Sequence, residues 1–272
     1  MRWVALRITP ASNRAGVIAA LFEAGSQGVQ EDGACVVTHF PSDVHIDAIR
    51  EAVNQADPGA QVTVSDAPET DYLHWGASVT SHQLGDLVIA PPWLAKEFDP
   101  RRTIIIDPAM AFGTGEHAST RGVVRLMQGV VRSGDVVADL GAGSAVLSIA
   151  AAKLGAARVA AIEIEHDSIG NANENVVVNG VEAEVQVIEG DATLLLPLLA
   201  PVRVVLANII FSVLIPLLPT IRASLAPGGQ AILAGILHEE ADAMLAVLDA
   251  DDWLVEREDR EDGWWSVQIA PR

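Results

Sequence analysis

Hydrophobic and polar residues alternate along the first stretch of the chain, where Val4, Leu6 and Ile8 fall on one face. This period of two predicts a half-buried strand, and helical spacing follows after Ser12, which we expect to cap the first helix. Continued in this way, the pattern predicts six elements: strand 2–9, helix 12–25, strand 28–31, strand 34–39, helix 42–53 and strand 60–65. The strands at 28–31 and 34–39 form a hairpin around Asp32-Gly33. The order βαββαβ is the ferredoxin-like pattern.

Strands and helices alternate more regularly in the second part of the chain. The predicted strands there cover residues 103–106, 136–140, 158–164, 184–188, 202–207, 230–234, 253–257 and 264–269. One predicted helix ends near residue 154, and further helices cover residues 167–179, 213–225 and 238–248. Repeated βα units imply an α/β fold with a Rossmann-like, mostly parallel sheet and helices on both faces. The last two strands, joined at Asp262-Gly263, form an antiparallel edge.

These patterns divide the chain into three parts. We expect a small α+β domain over residues 1–66, a connector over 67–95 with a short strand at 86–90, and a larger α/β domain over 96–272. Small ferredoxin-like domains more often bind or position a partner than carry out chemistry, and a fold alone gives no function.

The composition agrees with an α/β protein and narrows its location. Half of the residues are hydrophobic but only 4% are aromatic, so the apolar content is aliphatic, as in buried parallel strands. The longest apolar candidate, residues 202–218, contains Arg203, Asn208 and Pro216, and is therefore too polar for a membrane span. No signal-peptide pattern opens the chain, so we expect a cytoplasmic protein. Cys35, the only cysteine, rules out an intramolecular disulfide and is interpreted as a buried small hydrophobe.

The formal net charge of −19 bears on the partner. Nucleic-acid binders usually present a basic face, because neutralising phosphates dominates their affinity. A strongly acidic surface instead steers a basic partner toward the protein. The same charge is also compatible with a role in solubility or with a salt-adapted source. We therefore expect no direct contact with nucleic acid, whereas the nature of the partner stays open at this point.

The strongest local motif lies where a predicted strand ends at Asp139-Leu140 and a glycine-rich turn begins, Gly141-Ala142-Gly143. Glycines allow positive φ angles and a close approach of the backbone to a ligand, and open α/β sheets bind ligands at this edge. The dinucleotide fingerprint fails, because Val146 occupies its third glycine position. A methyl-donor site remains, in which Asp139 and the turn amides would hold an ammonium and a carboxylate. A purely structural turn is the alternative.

Two acidic residues at the next strand ends suggest an adenosine ligand. Glu163 lies about 20 residues beyond the turn, where a carboxylate can accept hydrogen bonds from ribose hydroxyls. Glu165 competes for that role. Asp191 follows the third strand and is placed for an adenine amino group, although an acidic residue in a surface turn would look the same.

Asn208 ends the fourth strand, where its amide oxygen can accept a hydrogen bond from an acceptor amine. A helix N-cap is the alternative interpretation.

A second glycine-rich segment lies upstream, between Asp107 and Thr120. It contains Phe112-Gly113-Thr114-Gly115, a combination that suggests a loop folded over a ligand. His117 has no second or third ligand at metal spacing, so we predict no metal site.

The run Asp107 to Thr120 with its pattern FGTG-x-H-x-x-T, the Gly141 turn with Glu163, and Leu206 to Ile209 together resemble the bacterial ribosomal protein L11 methyltransferase family. The resemblance covers nearly the whole chain. It implies a class I S-adenosylmethionine-dependent fold and an N-terminal domain that recognises the ribosomal protein. It also implies methylation of lysine side chains and of the N-terminal amine, and donor contacts at Thr120, Gly141, Glu163 and Asn208.

The resemblance and the residue patterns together define the expected site. S-adenosylmethionine is the expected cofactor, and Asn208 is the expected catalytic residue. The expected partner is a basic ribosomal protein of the large subunit, and we expect this chain to act as a monomer. The expected cofactor-binding residues are Phe112, Gly113, Thr114, Thr120, Asp139, Gly141, Gly143, Glu163, Asp191 and Asn208.

The chain departs from the family pattern at several positions. It has Glu163 where Asp is usual, Ala145 where glycine is usual, and Ser81-His82-Gln83-Leu84 in place of an aromatic-Lys-Pro segment. Three other functions stay open: methylation of another protein lysine or a small molecule, a non-catalytic or redox nucleotide-binding module, and RNA methylation. The charge, and the lack of an N-P-P-aromatic motif at Asn208, disfavour the last.

Overall fold

The computed structural model describes residues 3–26, 29–32, 35–41, 44–66, 80–107, 115 and 117–272. The chain divides into two compact units, Met1–Ser78 and Val79–Arg272. Residues 80–95, which the sequence pattern assigned to a connector, therefore lie in the second unit. Each unit is built from its own strands and helices.

The first unit contains a four-stranded antiparallel sheet in the order β2-β3-β1-β4. Its elements are β1 (Trp3–Thr9), α1 (Arg14–Glu23), β2 (Gln30–Asp32), β3 (Cys35–Pro41), α2 (Ile46–Ala56) and β4 (Gln61–Asp66). This order and pairing confirm the predicted ferredoxin-like arrangement. The alternating residues Val4, Leu6 and Ile8 are buried, as their spacing predicted, whereas Cys35 is only partly buried.

The prediction for the start of α1 was wrong by one residue, because the Ser12 side chain bonds to Asp57 rather than capping the helix. Asn13 is the N-cap, and its side chain accepts a hydrogen bond from the amide of Gly16. The Ser12 hydroxyl instead donates to Asp57, which also accepts from the backbone amides of Ala11, Ser12 and Asn13. These backbone N–H groups hold the pKa of Asp57 well below its usual value. Ser42, the expected start of the second helix, lies outside the described residues.

The second unit contains two sheets. Its first strands form a small sheet, β5 (His82–Leu84), β6 (Leu87–Ala90) and β7 (Thr103–Ile105), in that order. The larger sheet has, within the described residues, seven strands: β8 (Val136–Leu140), β9 (Arg158–Glu163), β10 (Val185–Glu189), β11 (Val202–Asn208), β12 (Leu225–Leu237), β13 (Trp253–Glu261) and β14 (Trp264–Pro271). The helices are α3 (Ala118–Met127), α4 (Val146–Lys153), α5 (His166–Val178), α6 (Ala192–Leu199), α7 (Phe211–Ser224) and α8 (Ala241–Ala250).

The strand order of the large sheet is β10-β9-β8-β11-β12-β14-β13. All its neighbouring pairs are parallel except those made by β14, which runs antiparallel to both β12 and β13. Helices cover both faces: residues of α3, α4 and α5 pack in one core, and residues of α6, α7 and α8 pack in another. These features confirm the predicted α/β class with its antiparallel C-terminal hairpin.

The order of the sheet also locates its ligand-binding edge. The chain proceeds outward from β8 through β9 to β10 and then returns to the other side of β8 at β11. Connections therefore leave in opposite directions from neighbouring strands β8 and β11, which opens a crevice beyond their carboxyl ends. Among the helices that the structure describes, none combines the length and the apolar character that crossing a bilayer demands.

Candidate functional site

The parallel register brings the carboxyl ends of five strands into one row. Glu189 lies beside Glu163, and Leu140 lies beside both Ile162 and Ala207. Asn208, the last residue of β11, pairs with Ala234 on β12. Residues separated by long stretches of sequence therefore meet at one edge of the sheet, as the sequence pattern predicted for Glu163 and Asn208.

The turn after β8 uses left-handed backbone conformations. Gly141 has φ +66°, Gly143 has φ +51°, and Ala145 has φ +64°. A side chain at Gly141 would also lie 3.1 Å from Cγ1 of Ile209, so the glycine allows a close approach of two strand ends. Ala145 is the exception, because a left-handed conformation costs a residue with a Cβ atom about 1–2 kcal/mol. The surrounding contacts must therefore stabilise this turn.

Glu163 provides one of those contacts. It is almost fully buried, and its Oε2 accepts a hydrogen bond from the amide of Gly143 at 2.7 Å, while Oε1 accepts from the amide of Glu165 at 2.8 Å. An ionised carboxylate offers about four acceptor positions, so it retains capacity for ligand hydroxyls. Glu165 is exposed at the N-terminus of α5. Of the two candidates, Glu163 is the one at the turn.

Asp139 lies fully buried near the end of β8. Its Oδ2 accepts a hydrogen bond from the Ser148 hydroxyl at 2.7 Å, whereas Oδ1 has no hydrogen-bond partner among the described residues. Burial raises the pKa of Asp139 to about 7, and the charge of Glu163 adds to this effect. A buried carboxylate oxygen without a donor is costly unless a ligand supplies one.

Asp191 has a local partner that the sequence pattern did not reveal. It is the N-cap of α6, and its Oδ1 accepts from both the amide and the hydroxyl of Thr193 at 2.7 Å. The Thr193 hydroxyl and amide hold the pKa of Asp191 below its usual value. The turn itself is tied to the neighbouring strand, because the Gly190 amide donates to the Glu163 carbonyl at 2.8 Å.

Asn208 contacts the first turn of α3. Its Nδ2 donates to Oγ1 of Thr120 at 3.3 Å, and Thr120 is fully buried. The other end of the amide, Oδ1, is buried and has no hydrogen-bond partner in the described part of the chain. The alternative interpretation of Asn208 as a helix N-cap is wrong, because α7 begins later and its N-cap is Ile210.

A pocket of about 300 Å³ opens beside Asn208. Its lining residues are His117, Ser119, Asn208, Ile209, Ile210, Gly235 and Trp264. Most of this surface is apolar. The strand ends crowd one another here, since a side chain at Gly235 would lie 2.6 Å from the Ile209 carbonyl oxygen. The shape suits a narrow, uncharged group that reaches Asn208.

His117 and Trp264 form an aromatic wall of this pocket. Their ring centroids are 4.5 Å apart in an edge-to-face arrangement, and His117 Nδ1 lies 2.7 Å from the Ser119 hydroxyl. Burial, and to a smaller degree the charge of Arg121, lowers the pKa of His117. A lowered pKa favours the neutral imidazole, so this wall adds no positive charge to the apolar pocket.

Ion pairs fix α3, which carries Thr120, against β13. Arg121 contacts Glu261 at 2.7 Å, and Arg125 contacts both Asp259 and Glu261. Gly122 makes close packing possible, because a side chain there would lie 2.5 Å from the Ser266 hydroxyl oxygen. These contacts hold α3 against the last two strands of the sheet, and they thereby keep Thr120 beside Asn208.

Of the described residues that line the pocket, Asn208 alone was among the site residues expected from the sequence; the others are His117, Ser119, Ile209, Ile210, Gly235 and Trp264. Gly235 and Trp264 carry no motif, and they reach the pocket only because β12 and β14 are neighbours in the sheet. The expected site residues Phe112, Gly113 and Thr114 lie outside the described residues. Thr120, Asp139, Gly141, Gly143, Glu163, Asp191 and Asn208 are all described near the carboxyl ends of the strands.

Comparison with known proteins identifies relatives over the full length. A family model for ribosomal protein L11 methyltransferase matches residues 8–271. The ribosomal protein L11 methyltransferase of Heliobacterium modesticaldum is 32% identical over 314 residues, which cover 100% of this chain and 98% of that protein. The protein of the same name from Symbiobacterium thermophilum is 38% identical over 211 residues, covering 73% of this chain and 65% of that protein.

Solved structures give the same picture of the fold. The ribosomal protein L11 methylase from Lactobacillus delbrueckii subsp. bulgaricus superposes with a TM-score of 0.63 at 28% identity, covering 71% of this chain and 100% of that one. A precorrin-6y C5,15-methyltransferase from Geobacter metallireducens superposes with a TM-score of 0.52 at 18% identity, over 62% of this chain and 97% of that one. The second similarity concerns the fold alone.

Proposed function

The chain belongs to the ribosomal protein L11 methyltransferase family, and we propose that it transfers methyl groups from S-adenosylmethionine to amine nitrogens of ribosomal protein L11. The acceptors would be lysine side chains and the N-terminal α-amine. The observation that carries this proposal is the buried Oδ1 of Asn208, which has no partner among the described residues and belongs to a side chain that lines a narrow apolar pocket. An amine N–H is the donor that this oxygen lacks.

The residues at the strand ends fit the methyl donor. The left-handed backbone at Gly141 and Gly143 turns the chain at the end of β8, where the donor's amino-acid part would lie. The oxygen of Asp139 that has no partner in the described chain suits the donor's ammonium group. Glu163 retains acceptor capacity for the ribose hydroxyls, and Asp191 would lie toward the adenine. Thr120 completes the set within the described residues, and we assign Phe112, Gly113 and Thr114 to the same site from their sequence motif. When bound, S-adenosylmethionine supplies a methyl carbon activated by a positive sulfonium.

Asn208 would orient the acceptor. Because its Nδ2 donates to Thr120, the amide is turned so that Oδ1 is the end left for an acceptor. A hydrogen bond from the amine to Oδ1 fixes the direction of the nitrogen lone pair. Alignment of this kind can contribute about 7–11 kcal/mol to a displacement reaction, so no strongly activating group is required.

The apolar pocket would keep the acceptor amine neutral. A free lysine amine has a pKa near 10.4 and an α-amine a pKa near 8, so both are protonated in water. Ile209, Ile210 and Trp264 surround the pocket with apolar surface, and burial in such surroundings lowers the pKa of an amine. His117 is the one titratable side chain among the described pocket residues, and burial lowers its pKa, which favours the neutral imidazole and keeps the pocket uncharged.

The net charge of −19 supports a basic protein as the partner. An acidic surface raises the rate at which a basic protein encounters it and repels nucleic acid. We therefore propose that the acceptor is L11 as a protein rather than an RNA segment bound to it.

The test is a methylation assay with purified proteins. The chain is incubated with isotopically labelled S-adenosylmethionine and purified L11, other large-subunit ribosomal proteins, or ribosomal RNA, and the products are measured by intact mass and peptide mapping. We expect label on L11 amines alone. Label on another protein or on RNA would contradict the acceptor. Calorimetry with S-adenosylhomocysteine and with NAD provides the second arm, because preferential binding of NAD would contradict a methyltransferase role altogether.

A further inference from the structure

Helix α5 presents a buried asparagine to the glycine-rich turn. Asn175 is only 3% exposed, and its Nδ2 donates to the carbonyl oxygen of Ser144 at 3.0 Å and to Oδ1 of Asn171 at 3.2 Å. Its Oδ1 accepts a longer hydrogen bond, 3.4 Å, from the backbone amide of Asp107. One side chain thus contacts two backbone segments that are far apart in sequence.

Both of these segments lead into the site. Ser144 directly precedes Ala145, whose left-handed conformation is unfavourable for a residue with a Cβ atom. Asp107 follows β7 and begins the part of the chain that leads to His117, the N-cap of α3, and to Thr120 in its first turn. The Asn175 hydrogen bond therefore fixes the peptide group on which the unusual backbone of the turn depends.

Asn179, one helical turn further on, makes a different set of contacts. Its Nδ2 donates to the Ile105 carbonyl at 2.7 Å, and its Oδ1 accepts from the Ile105 amide at 2.8 Å. It binds the backbone of β7 as a neighbouring strand would, and none of its hydrogen bonds among the described residues reaches the glycine-rich turn. The two asparagines are one helical turn apart, Asn175 within α5 and Asn179 as its C-cap. They therefore share residue type and hydrogen-bonding character but differ in target.

We propose that Asn175 is a positioning residue that holds the Ser144–Ala145 peptide in the conformation that binds the methyl donor, and that ties this turn to Asp107. The proposal rests on the proposed function, since it takes the turn to be part of the donor site. Asn175 does not contact the reacting atoms; it acts through the turn. Substitution of Asn175 should therefore weaken donor binding far more than its effect on overall stability would account for.

The experiment measures binding of S-adenosylhomocysteine by calorimetry and thermal unfolding for the wild-type chain, Asn175→Ala, Asn175→Leu and Asn179→Ala. We expect Asn175→Ala and the similarly sized Asn175→Leu to raise the Kd at least about tenfold, which is about 1.4 kcal/mol. Asn179→Ala should lower the Tm about as much as Asn175→Ala does. It should change the Kd of S-adenosylhomocysteine by less than about threefold. If Asn175→Ala does not fold, Asn175→Leu, which keeps the buried volume, provides the measurement.

A rescue distinguishes positioning from general destabilisation. Ala145→Gly relieves the cost of the left-handed conformation, so in the Asn175→Ala background it should recover at least about threefold of the lost affinity. An unchanged Kd for both Asn175 variants, equal losses for Asn175→Ala and Asn179→Ala, or no recovery with Ala145→Gly would each overturn the role of Asn175. Failure of the wild-type chain to bind S-adenosylhomocysteine would instead overturn the proposed function.

Discussion

Asn208 at the end of β11 donates its side-chain N–H to the hydroxyl of Thr120 in the first turn of α3, at 3.3 Å. This contact joins the strand end to the helix. It also determines which end of the Asn208 amide is available, because the end that donates to Thr120 cannot also accept from a substrate. The acceptor oxygen is the end that is buried and has no partner within the described residues.

Asn208→Ala should remove the group that aligns the acceptor amine. We expect kcat at saturating substrates to fall about 100-fold, since loss of alignment at a reacting centre has effects of this size. The Kd of S-adenosylhomocysteine should rise less than about tenfold. Steady-state kinetics and calorimetry measure the two quantities, and equal losses in both would reduce Asn208 to a binding residue.

Thr120→Val provides the matched control for this relationship, because it removes the hydroxyl but keeps the shape of the side chain. If Thr120 acts by orienting Asn208, the single variant should lower kcat about tenfold, and the double variant with Asn208→Ala should be no slower than Asn208→Ala alone. Additive losses in the double variant would show that the two residues act independently.

Glu163→Gln should weaken donor binding. Glutamine keeps the size of the side chain but has one acceptor oxygen, so it cannot accept from the Gly143 and Glu165 amides and also from two ribose hydroxyls. Hydrogen bonds to charged groups contribute about 1.5–3 kcal/mol, which corresponds to a rise in the Kd of S-adenosylhomocysteine of about 10- to 150-fold. Glu165→Gln is the control, and an equal rise there would contradict the assignment of Glu163.

The strongest sequence predictions were those supported by local physics. Strand β8 was predicted with the bounds that the structure shows, because a buried apolar run followed by glycines has few other interpretations. The final hairpin was predicted correctly because Asp262 and Gly263 both adopt positive φ angles, as a tight two-residue turn requires. Glu163 and Asn208 were expected at one edge because parallel strands end together.

The elements and site residues that the sequence did not predict depend on contacts between distant parts of the chain, or lie where the local sequence gives no clear helix or strand pattern. Helix α6 was not predicted, because its apolar sequence contains Pro197 and lacks helical periodicity. Strand β5 is only three residues long and depends on pairing with β6. Trp264 could not be assigned to the site, because its position next to His117 depends on the insertion of β14 between β12 and β13.

Asp139 should make stability depend on pH in a way that Asp139→Asn removes. Burial raises its pKa in the folded chain to about 7, above an unfolded value near 3.9. Between these values the folded state binds more protons than the unfolded state, so the contribution of Asp139 to stability falls as pH rises from about 4 to about 7. Above pH 7 the contribution is constant.

Urea unfolding of the wild-type chain and Asp139→Asn at pH 5 and at pH 8 measures this contribution. Asparagine keeps an oxygen to accept from Ser148 and carries no charge, so the variant should gain stability relative to wild type between the two pH values. A difference in unfolding free energy that is the same at pH 5 and pH 8 would show that Asp139 titrates at its usual pKa. The comparison cancels the contributions of all other titrating groups.

Trp264→Ala should separate acceptor binding from donor binding. Trp264 lines the apolar pocket and contacts the ring of His117, while the glycine-rich turn and Glu163 lie outside that lining. Removing the indole opens the pocket to water, so the KM for L11 should rise about tenfold or more, in line with the loss of a large aromatic contact. The Kd of S-adenosylhomocysteine should stay within about threefold of the wild-type value.

Two variants serve as controls for this prediction. Trp264→Phe keeps an aromatic ring in the wall and should retain most of the activity. Trp93→Ala removes an exposed tryptophan of the same unit and should change neither the KM for L11 nor the Kd of S-adenosylhomocysteine. A rise in the Kd of S-adenosylhomocysteine as large as the rise in KM would place Trp264 in the donor site and contradict the division of the edge into a donor side and an acceptor side.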